Sequence, residues 1–225
     1  MSSCSTAQEK DHCDKLNIGV VLLAAGEGSR MGSIPKCLLR LEGVPLIQRH
    51  LTAMQQTGID EVVVVTGFYH EQIEPVLADF SVKLVRNPYP QQGQQSSVKL
   101  GLESVSTACE LVMVVLADQP LVGKTELKEL ISAFKHRPAQ TCVVYPEADG
   151  QRGNPVAFSG QVIASMLASG NNIGCRKFID ANPELVHILK TENAHFILDL
   201  DTDADVAAFE TRTGMKLEPP VGHAV

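Results

Sequence analysis

Apolar side chains are concentrated in five short, nearly continuous runs along the first two thirds of the chain. Each run is rich in Val, Leu and Ile, which is typical of strands that are covered on both faces of a sheet. The five predicted strands are Ile18–Ala24, Glu61–Thr66, Val82–Val85, Leu111–Leu116 and Thr141–Tyr145.

Between these strands, apolar residues recur at intervals of three and four, which predicts amphipathic helices. Because strands and helices alternate, we expect parallel pairing with right-handed crossovers. The pattern therefore predicts a three-layer α/β/α Rossmann-like fold with a mostly parallel mixed sheet. The predicted helices are Pro45–Thr57, His70–Leu77, Ser96–Val105 and Lys124–Phe134.

After Tyr145 the alternation becomes less regular, and the remaining elements are shorter. Polar loops rich in Gly and Asn separate them. The predicted elements are a strand at Val156–Phe158, helices at Gln161–Leu167 and Cys175–Ala181, a last strand at Phe196–Leu200, and a closing helix at Asp203–Thr213 with Thr202 as its cap.

The composition is that of a globular protein with a sizeable core. Of the 225 residues, 44% are hydrophobic and 20% are charged, and this length suits one domain better than two. No internal repeat or interdomain linker is visible. We expect one domain at residues 17–214, between flexible tails at residues 1–16 and 215–225.

Charge and cysteine usage narrow the class of protein further. The net charge of −7 argues against broad binding to nucleic acid or to an anionic membrane surface. The six cysteines are scattered without a CxxC motif, as in proteins of a reducing compartment. The polar first fifteen residues do not resemble a signal peptide, and no apolar run is long enough to span a bilayer. We therefore expect a cytoplasmic protein with neither nucleic acid nor membrane as a partner.

The first predicted strand runs into a loop of small residues, Leu23–Lys36. Ligands of parallel α/β sheets bind beyond the carboxyl ends of the strands. Small residues let a ligand approach backbone amides that can donate to phosphate, and Arg30 and Lys36 add two cations. The loop matches neither GxxxxGK[ST] nor GxGxxG, which argues against a nucleotide-binding dehydrogenase. A Gly-rich surface turn is the alternative interpretation.

Two acidic segments also follow predicted strands. Asp118 comes directly after a buried strand, where a hard carboxylate suits Mg²⁺, although it could instead cap the next helix. Alternation on a short strand would place Asp199 and Asp201 on one face, and two neighbouring carboxylates favour a cation between them. We attribute Asp203 and Asp205 to the N-terminus of the closing helix.

The motif Leu23-Ala24-Ala25-Gly26-x-Gly28-x-Arg30-Met31-Gly32-x-x-x-Lys36 resembles the signature loop of the MobA-like nucleotidyltransferase superfamily. Its Ala-Ala-Gly form is more similar to the molybdenum cofactor cytidylyltransferase (MocA-like) branch, because the guanylyltransferase branch usually has Ala-Gly-Gly. The resemblance covers about residues 17–214 and implies the nucleotidyltransferase version of the fold.

The resemblance also implies roles for individual residues. Arg30, Lys36 and Asp118 would be catalytic, and Asp118 and Asp201 would hold Mg²⁺. Asn154 and Arg176 would lie on the acceptor side. Asn154, Asn172 and Cys175 depart from that branch, which usually has His, Asp and Ala there. The residues implied to bind the nucleotide are Leu23, Ala24, Ala25, Gly26, Gly28, Arg30, Lys36 and Ser97.

The implied reaction is attack by the phosphate of molybdopterin on the α-phosphate of CTP, or of GTP, with pyrophosphate as leaving group. The product would then be handed over to a molybdoenzyme or its chaperone. One alternative is a cytidylyl, guanylyl or sugar-1-phosphate nucleotidyltransferase with another phosphorylated acceptor. A second alternative, from a different class, is a chaperone that binds the nucleotide or cofactor without turnover.

Overall fold

The computed structural model describes residues 15–168 and 174–221. Asn172, and Cys4, His12 and Cys13 of the expected N-terminal tail, lie outside these ranges. No helix in the described ranges is long and apolar enough to cross a membrane. The strands are β1 (Ile18–Ala24), β2 (Arg40–Leu41), β3 (Val44–Pro45), β4 (Glu61–Thr66), β5 (Lys83–Arg86), β6 (Leu111–Leu116), β7 (Val143–Ala148), β8 (Gln151–Arg152), β9 (Val156–Ser159), β10 (Val186–Lys190) and β11 (Leu217–Glu218). The α-helices are α1 (Leu46–Thr57), α2 (His70–Ile73), α3 (Gln94–Ser104), α4 (Lys124–Lys135), α5 (Gly160–Ala168), α6 (Cys175–Ala181) and α7 (Asp203–Thr213).

A central sheet confirms the predicted architecture. Within the described ranges it has eight strands in the order β10-β7-β9-β6-β1-β4-β5, with β8 paired to β7. β1 runs parallel to β4 and β6, and β10 runs parallel to β7, whereas β9 is antiparallel to both β6 and β7. The sheet is therefore mixed and mostly parallel, and the carboxyl ends of β4, β1 and β6 meet at one edge.

Two apolar clusters, one on each face of the sheet, produce the three layers. Alternate residues of β1 point to opposite faces, so Val20 and Leu22 join one cluster while Val21 and Leu23 join the other. The first cluster contains apolar residues of α1, α2 and α4, and the second contains residues of α3, α5 and α6. Burial on both faces explains why the strand is apolar at nearly every position.

A small antiparallel sheet in the order β11-β2-β3 lies apart from the central sheet. It packs with α7 around a third cluster that includes Leu41, Leu200 and Phe209. Leu217 pairs with Leu41, so this part of the expected C-terminal tail is hydrogen-bonded. Strands of two residues leave no periodic pattern, and the sequence did not predict this sheet.

The predicted strand at Phe196–Leu200 is wrong. Residues Ala194–Ile197 form a short 3₁₀ turn, in which the Asn193 side chain accepts a hydrogen bond from the His195 amide. Phe196 is apolar because its side chain is fully buried and not because it belongs to a strand. The strand of this region is β10, a half-exposed edge strand without a continuous apolar run.

Most other elements agree with the prediction within two or three residues. The Thr202 cap is confirmed, since the Thr202 hydroxyl accepts from the Asp205 amide and the Asp205 carboxylate accepts from the Thr202 amide. Helix α3 begins earlier than predicted, after Gly93, so Ser96 and Ser97 lie inside its first turn. The predicted helix at His70–Leu77 is divided into α2 and a 3₁₀ turn.

Candidate active site

A cleft of about 1570 Å³ opens at the carboxyl ends of β4, β1 and β6. This is larger than a single ligand pocket usually is, and it leaves room for a nucleotide together with a second substrate. The predicted site residues Arg30, Ser97, Asp118, Asn154 and Arg176 all line it. Asp201 lines it as well.

The Leu23–Lys36 loop turns back on itself through two glycines in the left-handed region. Gly28 has φ 64° and Gly32 has φ 69°. A Cβ on Gly28 would lie 2.2 Å from the Ile34 carbonyl oxygen, and the Gly28 carbonyl accepts from the amides of Met31 and Ser33. Only glycine fits at position 28. Directly after the loop's turn, Lys36–Leu38 form a 3₁₀ turn.

Lys36 joins the two acidic segments. Its Nζ lies 2.7 Å from Asp201 Oδ1 and 3.8 Å from Asp118 Oδ2. Arg30 donates to the other carboxylate oxygen of Asp201 at 2.9 Å. The Lys36 side chain is only 13% exposed, so little water screens these charges. Four residues from three distant segments therefore form one charged cluster.

Burial determines the ionisation of this cluster. It raises the pKa of Asp118 to about 6; the Lys36 ammonium opposes the shift, and the carboxylates of Asp199 and Asp201 add to it. Burial also raises the pKa of Asp199. The hydrogen bond from Lys36 instead lowers the pKa of Asp201. Asp118 is therefore a carboxylate whose charge is incompletely neutralised by its protein neighbours.

The donor set of this cluster fits a divalent hard cation. Asp118 and Asp201 are carboxylates brought together at the cleft, and Mg²⁺ in nucleotide sites commonly takes one or two carboxylates and completes its shell with phosphate and water. No group of three or more metal-ligating side chains is present in residues 15–168 and 174–221, so these residues offer no closed protein cage. The residues suit a metal that is shared with a phosphorylated ligand.

The remaining predicted nucleotide residues lie on the same side. Leu23, Ala25 and Gly26 line the large cleft, and Ala24 and Gly28 line a smaller cavity that reaches Lys36 and Asp118. Ser97 is buried, and its hydroxyl oxygen accepts from Asn87 Nδ2 at 2.9 Å. That bond leaves the hydrogen of the hydroxyl free to donate into the cleft.

The predicted acceptor residues line the cleft from other elements, around β8 and α6, and this part is called the acceptor end below. Asn154 comes between β8 and β9, and its backbone amide donates to the Phe196 carbonyl at 2.8 Å. Arg176, in the first turn of α6, is exposed and has no ion-pair partner within the described residues. Arg152 also lines this end; it pairs with Asp180 and lies 5.2 Å from the centre of the Tyr145 ring.

Sequence reasoning missed Phe68, Tyr69 and Arg152. Phe68 is 39% exposed and lines the cleft directly after Gly67, beyond the end of β4. The rule that singled out the loop after β1 and Asp118 after β6, namely inspection of residues beyond strand ends, would also have found this turn. Arg152 gave no comparable signal, because β8 has only two residues.

The fold and the site define a class of protein that binds a phosphorylated ligand at the ends of parallel strands, and comparison with known proteins gives the family. Residues 20–187 match the family described as MobA-like NTP transferase domain. The chain belongs to that family.

Two curated relatives differ in how much of their length matches. The bifunctional protein GlmU of Syntrophomonas wolfei is 28% identical over 57% of this chain, and the match spans about a quarter (28%) of that relative's length. Nicotine blue oxidoreductase of Paenarthrobacter nicotinovorans is 28% identical over 81% of this chain and 91% of the relative.

Solved structures share the fold at low sequence identity. Rv0371c from Mycobacterium tuberculosis H37Rv superposes with a TM-score of 0.73 and 23% identity, covering 86% of this chain and 97% of the other. A second structure of Rv0371c is a complex with manganese, at a TM-score of 0.68 and 22% identity over 86% of this chain and 97% of that one. A CMP:2-keto-3-deoxy-manno-octonic acid synthetase complexed with CTP has a TM-score of 0.68 and 14% identity over 88% of this chain and 98% of that one.

Proposed function

We propose that this protein is a Mg²⁺-dependent nucleotidyltransferase that transfers CMP from CTP to the phosphate of molybdopterin and releases pyrophosphate. The observation that carries the proposal is the contact of Lys36 Nζ with both Asp118 and Asp201. Phosphoryl transfer needs the reacting groups to be positioned and the charge on the phosphates to be neutralised. A cation on a glycine-rich loop and two carboxylates that can hold a metal, all at the ends of parallel strands, can supply both effects.

In this reaction, a phosphate oxygen of the acceptor attacks the α-phosphorus of CTP. The bond between that phosphorus and the oxygen leading to the β-phosphate breaks, and pyrophosphate leaves with the bonding electrons. Arg30 and Lys36 stabilise the negative charge on the β- and γ-phosphates and on the leaving group. Asp118 and Asp201 would hold Mg²⁺, which when bound supplies positive charge to the α-phosphate and the attacking oxygen.

Binding of a triphosphate would change the partners of Lys36 and Arg30. Both cations contact Asp201 here, at 2.7 and 2.9 Å. A triphosphate competes for these cations, so Asp201 becomes available as a metal ligand when the nucleotide arrives. The side chains therefore favour joint binding of nucleotide and metal over binding of metal alone.

The acceptor end supports an anionic acceptor. Arg176 is exposed there without an ion-pair partner among the described residues, and Arg152, which pairs with Asp180 of the same helix as Arg176, lines the same cleft. Apolar side chains of Val156 and Ile179 and the Tyr145 ring line the same end, which suits a phosphate attached to a flat ring system. Relatives of the same fold that contain CTP or manganese support the choice of nucleotide and a divalent cation.

Another phosphorylated acceptor, such as a sugar 1-phosphate, is the second candidate, because Asn154 departs from the motif of the cytidylyltransferase branch. In either case the bond that breaks in CTP and the residues around Lys36 are the same. If molybdopterin is the acceptor, the product would pass to a molybdoenzyme or its chaperone.

The decisive experiment measures pyrophosphate release with CTP, GTP, ATP and UTP, each combined with molybdopterin or with simple sugar phosphates, in the presence of Mg²⁺. We expect the highest rate with CTP and molybdopterin. Pyrophosphate release with CTP and a sugar phosphate, but not with molybdopterin, would show that the reaction is the one proposed and that its acceptor is a sugar phosphate. If the protein bound a nucleotide but released no pyrophosphate in any combination, the interpretation as a binding protein or chaperone would apply instead.

A matched pair of variants links the activity to the site. Lys36→Ala should abolish turnover with the fold intact, because it removes the cation that contacts both carboxylates. Lys135→Ala removes an exposed lysine at the end of α4 and should behave as the parent protein. Near-normal turnover by Lys36→Ala would refute the assignment of the site.

A further inference from the structure

The turn after β4 carries a tyrosine that contacts the Leu23–Lys36 loop. The Tyr69 hydroxyl donates to the Glu27 carbonyl oxygen at 2.7 Å. Its ring is half-buried against the apolar cluster formed with α1, α2 and α4. Burial raises the pKa of Tyr69, with the Glu27 carboxylate adding to the shift and a hydrogen bond with Ser33 opposing it. The hydroxyl therefore remains a donor at neutral pH.

This turn is held rigidly in place. A Cβ on Gly67 would lie 2.8 Å from both Cβ and the carbonyl oxygen of Ala25, so the backbone of the turn packs directly on the loop after β1. The Gly67 carbonyl accepts from the His70 amide at 3.3 Å, and the Tyr69 carbonyl accepts from the Ile73 amide at 3.0 Å. With backbone and ring both fixed, the hydroxyl has a defined position.

The contact decides how one peptide group of the loop is oriented. The C=O and N–H of a trans peptide point in opposite directions. Because Tyr69 holds the Glu27 carbonyl, the Gly28 amide of the same peptide group points away from Tyr69. Within the described residues, no backbone hydrogen bond uses the amides of Gly26, Glu27 or Gly28 as donors. These amides lie where the loop borders the cleft, and they are free to donate to an anion.

We propose that Tyr69 is a positioning residue of the nucleotide site, whose hydroxyl holds the Glu27–Gly28 peptide group so that the loop amides face the phosphates of the bound nucleotide. The inference rests on the proposed function in one respect, namely that this loop binds phosphates. It assigns to Tyr69 an effect on phosphate binding and no effect on the nucleoside.

The test compares Tyr69→Phe with Tyr89→Phe. Both changes remove one hydroxyl, but the Tyr89 ring is 57% exposed. Dissociation constants for inorganic pyrophosphate, CTP and cytidine are measured by calorimetry with Mg²⁺ present. Tyr69→Phe should weaken binding of pyrophosphate and CTP about fivefold, as for loss of a hydrogen bond of about 1 kcal/mol, and leave cytidine binding unchanged. Tyr89→Phe should leave all three constants unchanged.

Two outcomes would overturn the role of Tyr69: unchanged pyrophosphate and CTP binding in Tyr69→Phe, or an equal loss of affinity for cytidine, as expected from general loosening of the fold. Failure of the proposed function has a different signature, because wild-type protein would then release no pyrophosphate with any acceptor. The binding constants are measured without an acceptor, so the two failures are distinguishable. Thermal melting of Tyr69→Phe checks that the ring still packs.

Discussion

The two ends of the cleft are held in place by different kinds of contact. The proposed nucleotide end comprises the Leu23–Lys36 loop with Asp118 and Asp201, and the proposed acceptor end comprises Asn154, Arg152 and Arg176. At the nucleotide end, segments far apart in sequence are joined directly. The Ala117 amide donates to the Leu23 carbonyl at 3.1 Å, and Lys36 reaches Asp201 at 2.7 Å. This end is built on the core of the sheet.

At the acceptor end, the charged side chains belong to short elements, and neither Arg152 nor Arg176 is as buried as Lys36. Arg152 is on the two-residue strand β8, where it pairs with Asp180, and Arg176 is in the first turn of α6. Few core contacts depend on these side chains. Substitutions at the nucleotide end should therefore change the chemistry, whereas substitutions at the acceptor end should change which acceptor is used.

The largest expected effect comes from Asp118→Asn. The change keeps the shape of the side chain and removes the charge that would hold the metal, so turnover should fall about a thousandfold or more. Because even a partly buried carboxylate is costly, folding should be unaffected or improved. Pyrophosphate release and thermal melting measure the two effects. Asp79→Asn, an exposed aspartate, is the matched control, and a loss of less than tenfold in Asp118→Asn would contradict the metal assignment.

A second prediction concerns the pH dependence of stability, and it depends on a histidine beside the segment that follows Asp118. His50 of α1 is buried, and burial lowers its pKa to about 4, against the opposing effect of the Gln119 carbonyl. Between pH 6.5 and 4 the unfolded chain takes up a proton that the folded protein excludes. The free energy of unfolding should therefore fall on acidification through this range, by up to roughly 3 kcal/mol.

Urea unfolding at several pH values measures this contribution as the difference between the parent protein and His50→Leu. The loss of stability on acidification should be smaller in His50→Leu, since Leu has no proton to accept. His136→Gln, at an exposed position, should keep the dependence of the parent. Parallel pH curves for the parent and His50→Leu would show that His50 is not the group responsible.

The contrast between the core of the sheet and the short elements around it also explains what could be predicted from the sequence. The strands β1, β4 and β6 were predicted because burial on both faces makes them continuously apolar. Lys36 and Asp118 follow from their positions beyond strand ends. Asp201 lies at the site although the strand predicted to carry it is absent, because the small β11-β2-β3 sheet and its apolar cluster hold Leu200 in place.

The features that were missed depend on contacts between distant segments. The turn after β4 follows a strand end, but the contact of Tyr69 with the loop after β1 is visible only in the folded protein. The exposed edge strand β10 has no apolar pattern of its own, and its pairing with β7 defines it. Arg152 is assigned to the acceptor end only by its place on β8 beside α6. Local periodicity contains no information about such juxtapositions.

A third prediction sharpens the contrast at the acceptor end. Arg176→Ala should raise the KM for the acceptor about tenfold, because a charge-assisted contact with an anionic group is lost. The KM for CTP should stay unchanged, since Arg30 and Lys36, and not Arg176, are the cations proposed to hold the triphosphate. Initial rates at varied acceptor and varied CTP separate the two constants. Arg212→Ala on α7 is the control, and an equal rise in both constants would contradict the division of the cleft.

The smallest expected effect comes from Gly26→Ala. This variant tests whether the small residue is needed for space around the ligand or for packing within the protein. A Cβ on Gly26 would meet no protein atom within 4 Å, and Gly26 does not have positive φ. Gly26→Ala should therefore leave the free energy of unfolding unchanged or raise it by up to about 1 kcal/mol. Because the added methyl group occupies the cleft where the loop meets the nucleotide, we expect CTP to bind about fivefold more weakly.

Gly67→Ala provides the opposite case, since its Cβ would lie 2.8 Å from Ala25 and 3.0 Å from Pro90 within the protein itself. This variant should lose stability as well as affinity, because the turn must move away from the loop. Calorimetry with CTP and urea unfolding on both variants measure the contrast. If Gly26→Ala bound CTP as tightly as the parent, the ligand would not approach the backbone at this position, and the nucleotide would have to be placed further from β1. If Gly26→Ala were also unstable, the small residues of the loop would serve the fold and not the ligand.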